Sequence, residues 1–161
     1  MKQIKQKLIA LLAAVICGMI ALSADTAPVY AAGNDLAVAQ SQGVLYLTQE
    51  WLDLVASLET WQGEALTKNK GVLQGPSGKE SWYNMDMTPV LNCLAQNNIF
   101  GEYWVREDGC KMYGPFIIVA ANYELHPIGT LVETSLGIGI VGDTGGFCIS
   151  DPTMVDIATV W

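Results

Sequence analysis

Apolar and polar positions change rhythm several times along this chain. From Leu8 to Ala21 the residues are almost wholly apolar. Between residues 47 and 62, Trp51, Leu54, Val55 and Leu58 recur at i, i+3, i+4 and i+7, one face of an amphipathic helix. Thr48 stands where a cap is needed, Glu50 falls in the first turn, and Gly63 ends the pattern. Such a stripe mostly packs on its own domain, although it also suits a partner. Beyond Lys79 the rhythm shortens. Ser81-Trp82-Tyr83 and Tyr103-Trp104-Val105 are brief aromatic runs, Phe116 to Ala121 and Ile138 to Val141 are apolar, and Val155 to Val160 is apolar but for Asp156 and Thr159. Leu131-Val132-Glu133-Thr134 alternates. Glycine and proline separate these runs at roughly 8–12 residues, which predicts an all-β domain of short strands. One short helix is expected over 88–96.

The first apolar run is an export signal by its context. Lys2, Lys5 and Lys7 precede it, and small residues follow, ending in Val29-Tyr30-Ala31-Ala32. That order predicts a secretory signal peptide over residues 1–31, cleaved after Ala31. The run is shorter than the roughly 20 apolar residues a spanning helix needs, so no membrane association is expected after cleavage. Cys17 does not read as a lipid anchor, because Ala14 stands where a lipoprotein signal has leucine.

Residues 63–80 are rich in glycine and lysine, and the domain boundary is placed near Gly75. The expected organisation is therefore a signal peptide at 1–31, a leader, helix and linker at 32–74, and the β domain at 75–161. Gly75-Pro76-Ser77-Gly78-Lys79-Glu80 is not a phosphate loop. Leu73 stands where its first glycine belongs, and Glu80 replaces the required Ser or Thr.

Composition then narrows the function. The 161 residues carry 8 basic and 16 acidic side chains, a net charge of −8. Cleavage after Ala31 removes three lysines and Asp25, leaving five basic against 15 acidic residues and a net charge of −10. A nucleic-acid partner is not expected, since a phosphate backbone requires a basic face. Neutral or cationic extracellular material fits better. Cys93, Cys110 and Cys148 remain after cleavage; an exported chain permits one bridge, with Cys110–Cys148 favoured, and three buried thiols are the alternative. With His126 alone, no metal site is expected, and no cofactor.

Carboxylates are the candidate catalytic groups. His126 lies in a loop before Pro127 and reads as a surface residue, and no serine or cysteine sits in a nucleophile elbow. Asp143 ends an apolar strand and opens Asp143-Thr144-Gly145-Gly146. Asp156 lies among Val155, Ile157 and Ala158, which implies partial burial. Two nearby aspartates, one desolvated, have pKa values pushed apart, so one can hold a proton as a glycosidic general acid. A structural role is the alternative: Asp143 capping a turn and Asp156 bonding a neighbouring backbone. Trp82, Tyr83, Tyr103 and Trp104 offer either a sugar-stacking platform or core packing.

Val119-Ala120-Ala121-Asn122, Pro127-Ile128-Gly129-Thr130, Gly139-Ile140-Val141-Gly142-Asp143-Thr144-Gly145-Gly146 and Asp156, in this order, resemble the three-aspartate (3D) domain. That family is similar to the C-terminal part of the membrane-bound lytic transglycosylase A family and to stationary-phase survival proteins of Gram-positive bacteria. The resemblance covers roughly residues 75–161 and implies a six-stranded double-psi β-barrel, here preceded by the amphipathic helix. It further implies a secreted, cell-wall-associated protein acting on peptidoglycan glycan strands by lytic transglycosylation. Asp156 would be the acid/base and Asp143 its partner, with Asn122, Thr130, Thr144, Gly145, Trp82 and Tyr83 along the substrate. The family's first aspartate is Asn122 here, which leaves a non-catalytic glycan-binding module as the alternative.

Overall fold

The computed structural model describes Leu45, Tyr46 and residues 61–161. The expected signal peptide lies outside the described residues, as does the helix expected over 47–62 except for its last two positions. Residues 61 and 62 are not helical.

The described chain is mostly β, with two short helices. A short strand β1 (Leu45–Tyr46) pairs in parallel with β4 (Ile99–Phe100). The other eight strands form one sheet. Its main path runs β2 (Val72–Gln74), β3 (Lys79–Tyr83), β10 (Val155–Ala158), β7 (Phe116–Ala120), β6 (Lys111–Tyr113) and β5 (Tyr103–Val105). From β7 a branch leads to β9 (Gly137–Asp143) and on to β8 (Leu131–Thr134). The hydrogen-bonded sheet is open, with β2, β5 and β8 at its ends. Two of its pairs are parallel, β3 with β10 and β7 with β9, and the others are antiparallel.

β7 is the hub, and its sequence says why. All five residues, Phe116-Ile117-Ile118-Val119-Ala120, are buried. Phe116 and Ile118 join one apolar cluster while Ile117 and Val119 join another, as the two-residue period of a strand requires. An unbroken apolar run is what a strand covered on both faces needs. Each of Ile117, Ile118 and Val119 contributes about 1.5–3 kcal/mol by leaving water.

Helix α1 (Thr88–Gln96) covers the Phe116/Ile118 face. Pro89 suits its first turn, where a missing N–H costs nothing. Asp86 Oδ1 accepts from Thr88 N at 3.0 Å and Thr88 Oγ1 at 2.9 Å. Its buried Val90 and Leu94 approach β9 at Gly142, where a Cβ would lie 2.9 Å from Val90 Cγ1. Helix α2 (Phe147–Ser150) is a single turn after β9.

The packed unit reaches back before residue 75. Gly75, where the sequence places a boundary, lies in the turn between β2 and β3 and donates its N–H to Gly78 O at 2.8 Å. Leu66 and Leu73 are buried in the second cluster. The reason is polar as well as apolar. Ser135, between β8 and β9, accepts from Leu66 N at 3.0 Å and donates its hydroxyl to the buried Glu80 at 2.5 Å.

The favoured Cys110–Cys148 bridge does not form: Cys93, Cys110 and Cys148 are all free thiols. Cys110 is buried beside Arg106 and Asp108. Cys148 sits in α2, where its sulfur meets Thr144 Oγ1 at 3.6 Å.

Candidate functional site

One lateral row of the sheet carries the candidate chemistry. On β10, Asp156 pairs with Ala120 of β7 on one side and with Ser81 of β3 on the other. On its far side Ala120 pairs with Asp143 of β9. The row therefore runs Ser81, Asp156, Ala120, Asp143 across four strands. With strands about 4.8 Å apart, the two aspartates are two strand spacings from each other along the sheet.

A register slip brings Asp143 into that row. Along β7 and β9 the pairs are Ile117 with Gly139, Ile118 with Ile140 and Val119 with Val141, and then Ala120 meets Asp143 rather than Gly142. This one-residue bulge overrides the alternation. Strict period two would turn Asp143 to the face of Val141; the slip matches it to Ala120, on the face of Ile118 and Asp156. Tyr123 donates its hydroxyl to the Gly142 carbonyl at the bulge, at 3.3 Å. Ala121 N–H donates to Asp143 O at 3.0 Å and carries the pairing past the slip.

Asp156 is partly buried. Its Oδ1 accepts from Ser81 Oγ at 2.6 Å. Burial pushes its carboxyl above the usual aspartate range, the Ser81 hydrogen bond pulls it down, and the Asp143 charge adds to the rise. Asp143 Oδ1 accepts from Thr144 N at 2.8 Å. Tyr83, two residues along β3 from Ser81, shares the face of Asp156, and its hydroxyl is held neutral by burial and by both carboxylates. Tyr123 is pushed up to about 12, first by burial and then by its surroundings, Cys93, Asp143 and Cys148.

The other expected residues fall into two groups. Thr130 and Gly145 support the row through their backbones. Thr130 O accepts from Val141 N at 2.9 Å, two residues before Asp143, and Gly145 O accepts from Cys148 N at 3.1 Å to start α2. Thr144 is exposed beside Asp143. Asn122 follows β7, and its side-chain oxygen is engaged by Glu124 N at 2.9 Å. The four aromatics do not make one platform. Trp82 lies on the opposite face from Tyr83 and packs edge-on against Trp161, with ring centroids 6.0 Å apart. Tyr103 and Trp104 are exposed on β5, at one end of the strand path. Adjacent strand residues point to opposite faces, which is why neither pair presents two rings together.

Ser81 and Tyr123 complete the surroundings and were not singled out by sequence, and Cys93 and Cys148, which the sequence offered only as thiols, stand near Tyr123. Only the parallel β3–β10 pairing puts Ser81 beside Asp156, and nothing in a lone serine announces it. Among the described residues no three His, Cys, Asp or Glu side chains gather as metal ligands. No helix among them is long and apolar enough to cross a membrane. Comparison with family models, with curated proteins and with solved structures yields no match to this chain.

Proposed function

We propose that this chain is an exported cell-wall protein that cleaves peptidoglycan glycan strands as a lytic transglycosylase, on a six-stranded double-psi β-barrel. The observation that carries the reading is the single row holding Asp156 and Asp143, with the Asp156 carboxyl raised by burial and by its neighbour. A raised carboxyl next to an ionisable partner suits an acid that must hold a proton and then release it. The two parallel pairs, β3–β10 and β7–β9, each join strands distant in sequence and support the interlocked barrel.

In this reading protonated Asp156 gives its proton to the glycosidic oxygen between N-acetylmuramic acid and N-acetylglucosamine. The C1–O bond breaks and the leaving sugar departs as an alcohol. The Asp156 carboxylate then takes the proton from the C6 hydroxyl of the same muramic acid, whose oxygen bonds to C1. The product is a 1,6-anhydro ring, no water is consumed, and Asp156 ends protonated as it began. Asp143 raises the Asp156 carboxyl and favours its acid form.

A second reading is a glycan-binding module without turnover. Asn122 favours it, because its amide oxygen is committed to a local turn and it supplies no charge near the pair. Purified sacculi separate the two. Wild-type chain releases soluble muropeptides and Asp156→Asn binds without release if the first reading holds. Binding without release by both proteins supports the module.

A further inference from the structure

β5 ends the strand path and carries three consecutive exposed side chains, Tyr103, Trp104 and Val105. Among the described strands only β6 pairs with it. The bonds at either end fix which way its backbone groups point. Gly114 N donates to Glu102 O at 2.8 Å, and Arg106 N donates to Cys110 O at 2.9 Å. Glu102–Gly114 and Arg106–Cys110 are therefore hydrogen-bonded pairs. So is Trp104–Met112 between them, since such pairs alternate along an antiparallel ladder. Tyr103 and Val105 fall at the intervening positions. Their N–H and C=O groups point away from β6 and have no partner among the described residues.

An open edge with apolar side chains is a template for another strand, and folded proteins usually block one with proline, lysine or a covering loop. The other two ends of the sheet differ. At β8, Glu133 O already accepts from Ser77 Oγ at 2.7 Å. At β2, a two-fold pairing centred on Leu73 would set Lys70 against Pro76, which match in nothing. On β5 the same operation matches every position. Two copies paired antiparallel about Trp104 set Tyr103 against Val105 twice, an aromatic opposite a β-branched residue. They also set Glu102 against Arg106 twice, opposite charges. The backbone agrees. Tyr103 and Val105 become the hydrogen-bonded pairs, and Trp104 meets its own copy in a non-hydrogen-bonded one. Glu102 is exposed. Arg106 is held in place by Nε and Nη2, which donate to Asp108 at 3.0 and 2.6 Å, and its Nη1 has no partner among the described residues. A chain of net charge −8 repels its copies overall, so opposite charges meeting along the seam are what commits this edge to a second copy.

We propose that β5 is a self-pairing edge, through which two copies of this chain join antiparallel about Trp104. The Tyr103 and Val105 backbone groups bond across the seam, and Glu102 and Arg106 flank it on both sides. The inference does not depend on glycan cleavage.

The test is backbone amide exchange read by NMR on the full chain across a concentration series, with sedimentation alongside, for wild type, Glu102→Arg and Val105→Pro. In wild type the Tyr103 and Val105 amides are expected to gain protection as concentration rises, in step with dimer formation. The Trp104 amide, bonded within the hairpin, is expected to be protected throughout. Glu102→Arg is expected to raise the concentration needed roughly tenfold, because like charges replace opposite ones on both sides of the seam. Val105→Pro removes an outward N–H and leaves the β5–β6 bonds untouched, so it is expected to give a folded monomer. A wild-type chain still monomeric at about 0.5 mM overturns the proposal. Protection of Tyr103 at every dilution also overturns it, because another segment of the same chain then holds the edge. So does association that Glu102→Arg leaves unchanged, whether or not Val105→Pro folds.

Discussion

Ser81 donates its hydroxyl to Asp156 Oδ1 at 2.6 Å across the parallel β3–β10 pair, joining residues 75 positions apart in the chain. That bond opposes the burial that raises the Asp156 carboxyl. Ser81→Ala is expected to raise the Asp156 titration midpoint further and to cost about 1 kcal/mol in unfolding free energy. Carboxyl NMR and urea unfolding check the two effects separately. An unchanged midpoint would mean that the bond does not govern Asp156.

Asp156→Asn tests the sign of the burial effect. A carboxyl whose folded pKa is raised is destabilised when charged. Its contribution to stability is fully present below the unfolded pKa and is lost as pH rises through the folded one. The asparagine imitates the protonated state. The variant should therefore melt higher than wild type at neutral pH, with the gain fading as pH falls into the ordinary aspartate range. A variant that melts lower at neutral pH would show that the carboxylate is held favourably.

Turnover follows the same group. If protonated Asp156 is the acid, cleavage falls as pH rises through its pKa. Asp143→Asn removes the neighbouring charge that raises that pKa. The alkaline limb of the pH–rate profile should then move to lower pH, which rates measured on sacculi across a pH series would show. A limb that stays in place would separate Asp143 from the chemistry.

Gly142 lets α1 lie against β9 beside the bulge. A Cβ there would lie 2.9 Å from Val90 Cγ1 and 3.1 Å from Leu94 Cδ1. Gly142→Val is expected to cost about 1–3 kcal/mol by overpacking, read from the urea midpoint. A neutral result would mean that α1 yields easily.

The thiols give a covalent check. Without reductant, alkylation of the unfolded chain should modify Cys93, Cys110 and Cys148 alike, since none is bridged. In the folded chain Cys110 should be the slowest, being buried and pushed up to about 12, first by that burial. Peptide mass spectrometry reads both states, and a Cys110–Cys148 peptide would contradict the free thiols.

The parts of the fold legible in the sequence were those where one local signal decides the element. α1 was readable because Pro89 opens it, Val90 and Leu94 mark its face, and turn-forming Asn97 and Asn98 follow. β5 and β8 matched their aromatic and alternating runs. β6 was missed because it carries a buried lysine. Lys111 has little exposure only because its ammonium donates to Asn84 Oδ1 at 2.7 Å and Met85 O at 2.5 Å, groups that the connection between β3 and α1 supplies. β2 was missed because three residues hold too little pattern, and its place depends on pairing with β3. At the site, Asp143 and Asp156 stood out by their neighbours. Their shared face did not, because it depends on a bulge that periodicity argues against.

The most direct measurement is the mass of the glycan ends released from purified sacculi by wild-type chain. Lytic transglycosylation predicts 1,6-anhydro muramic acid ends, one water lighter than hydrolysed ends, and none with Asp156→Asn. Hydrolysed ends, or intact sacculi with the wild-type chain, would contradict it.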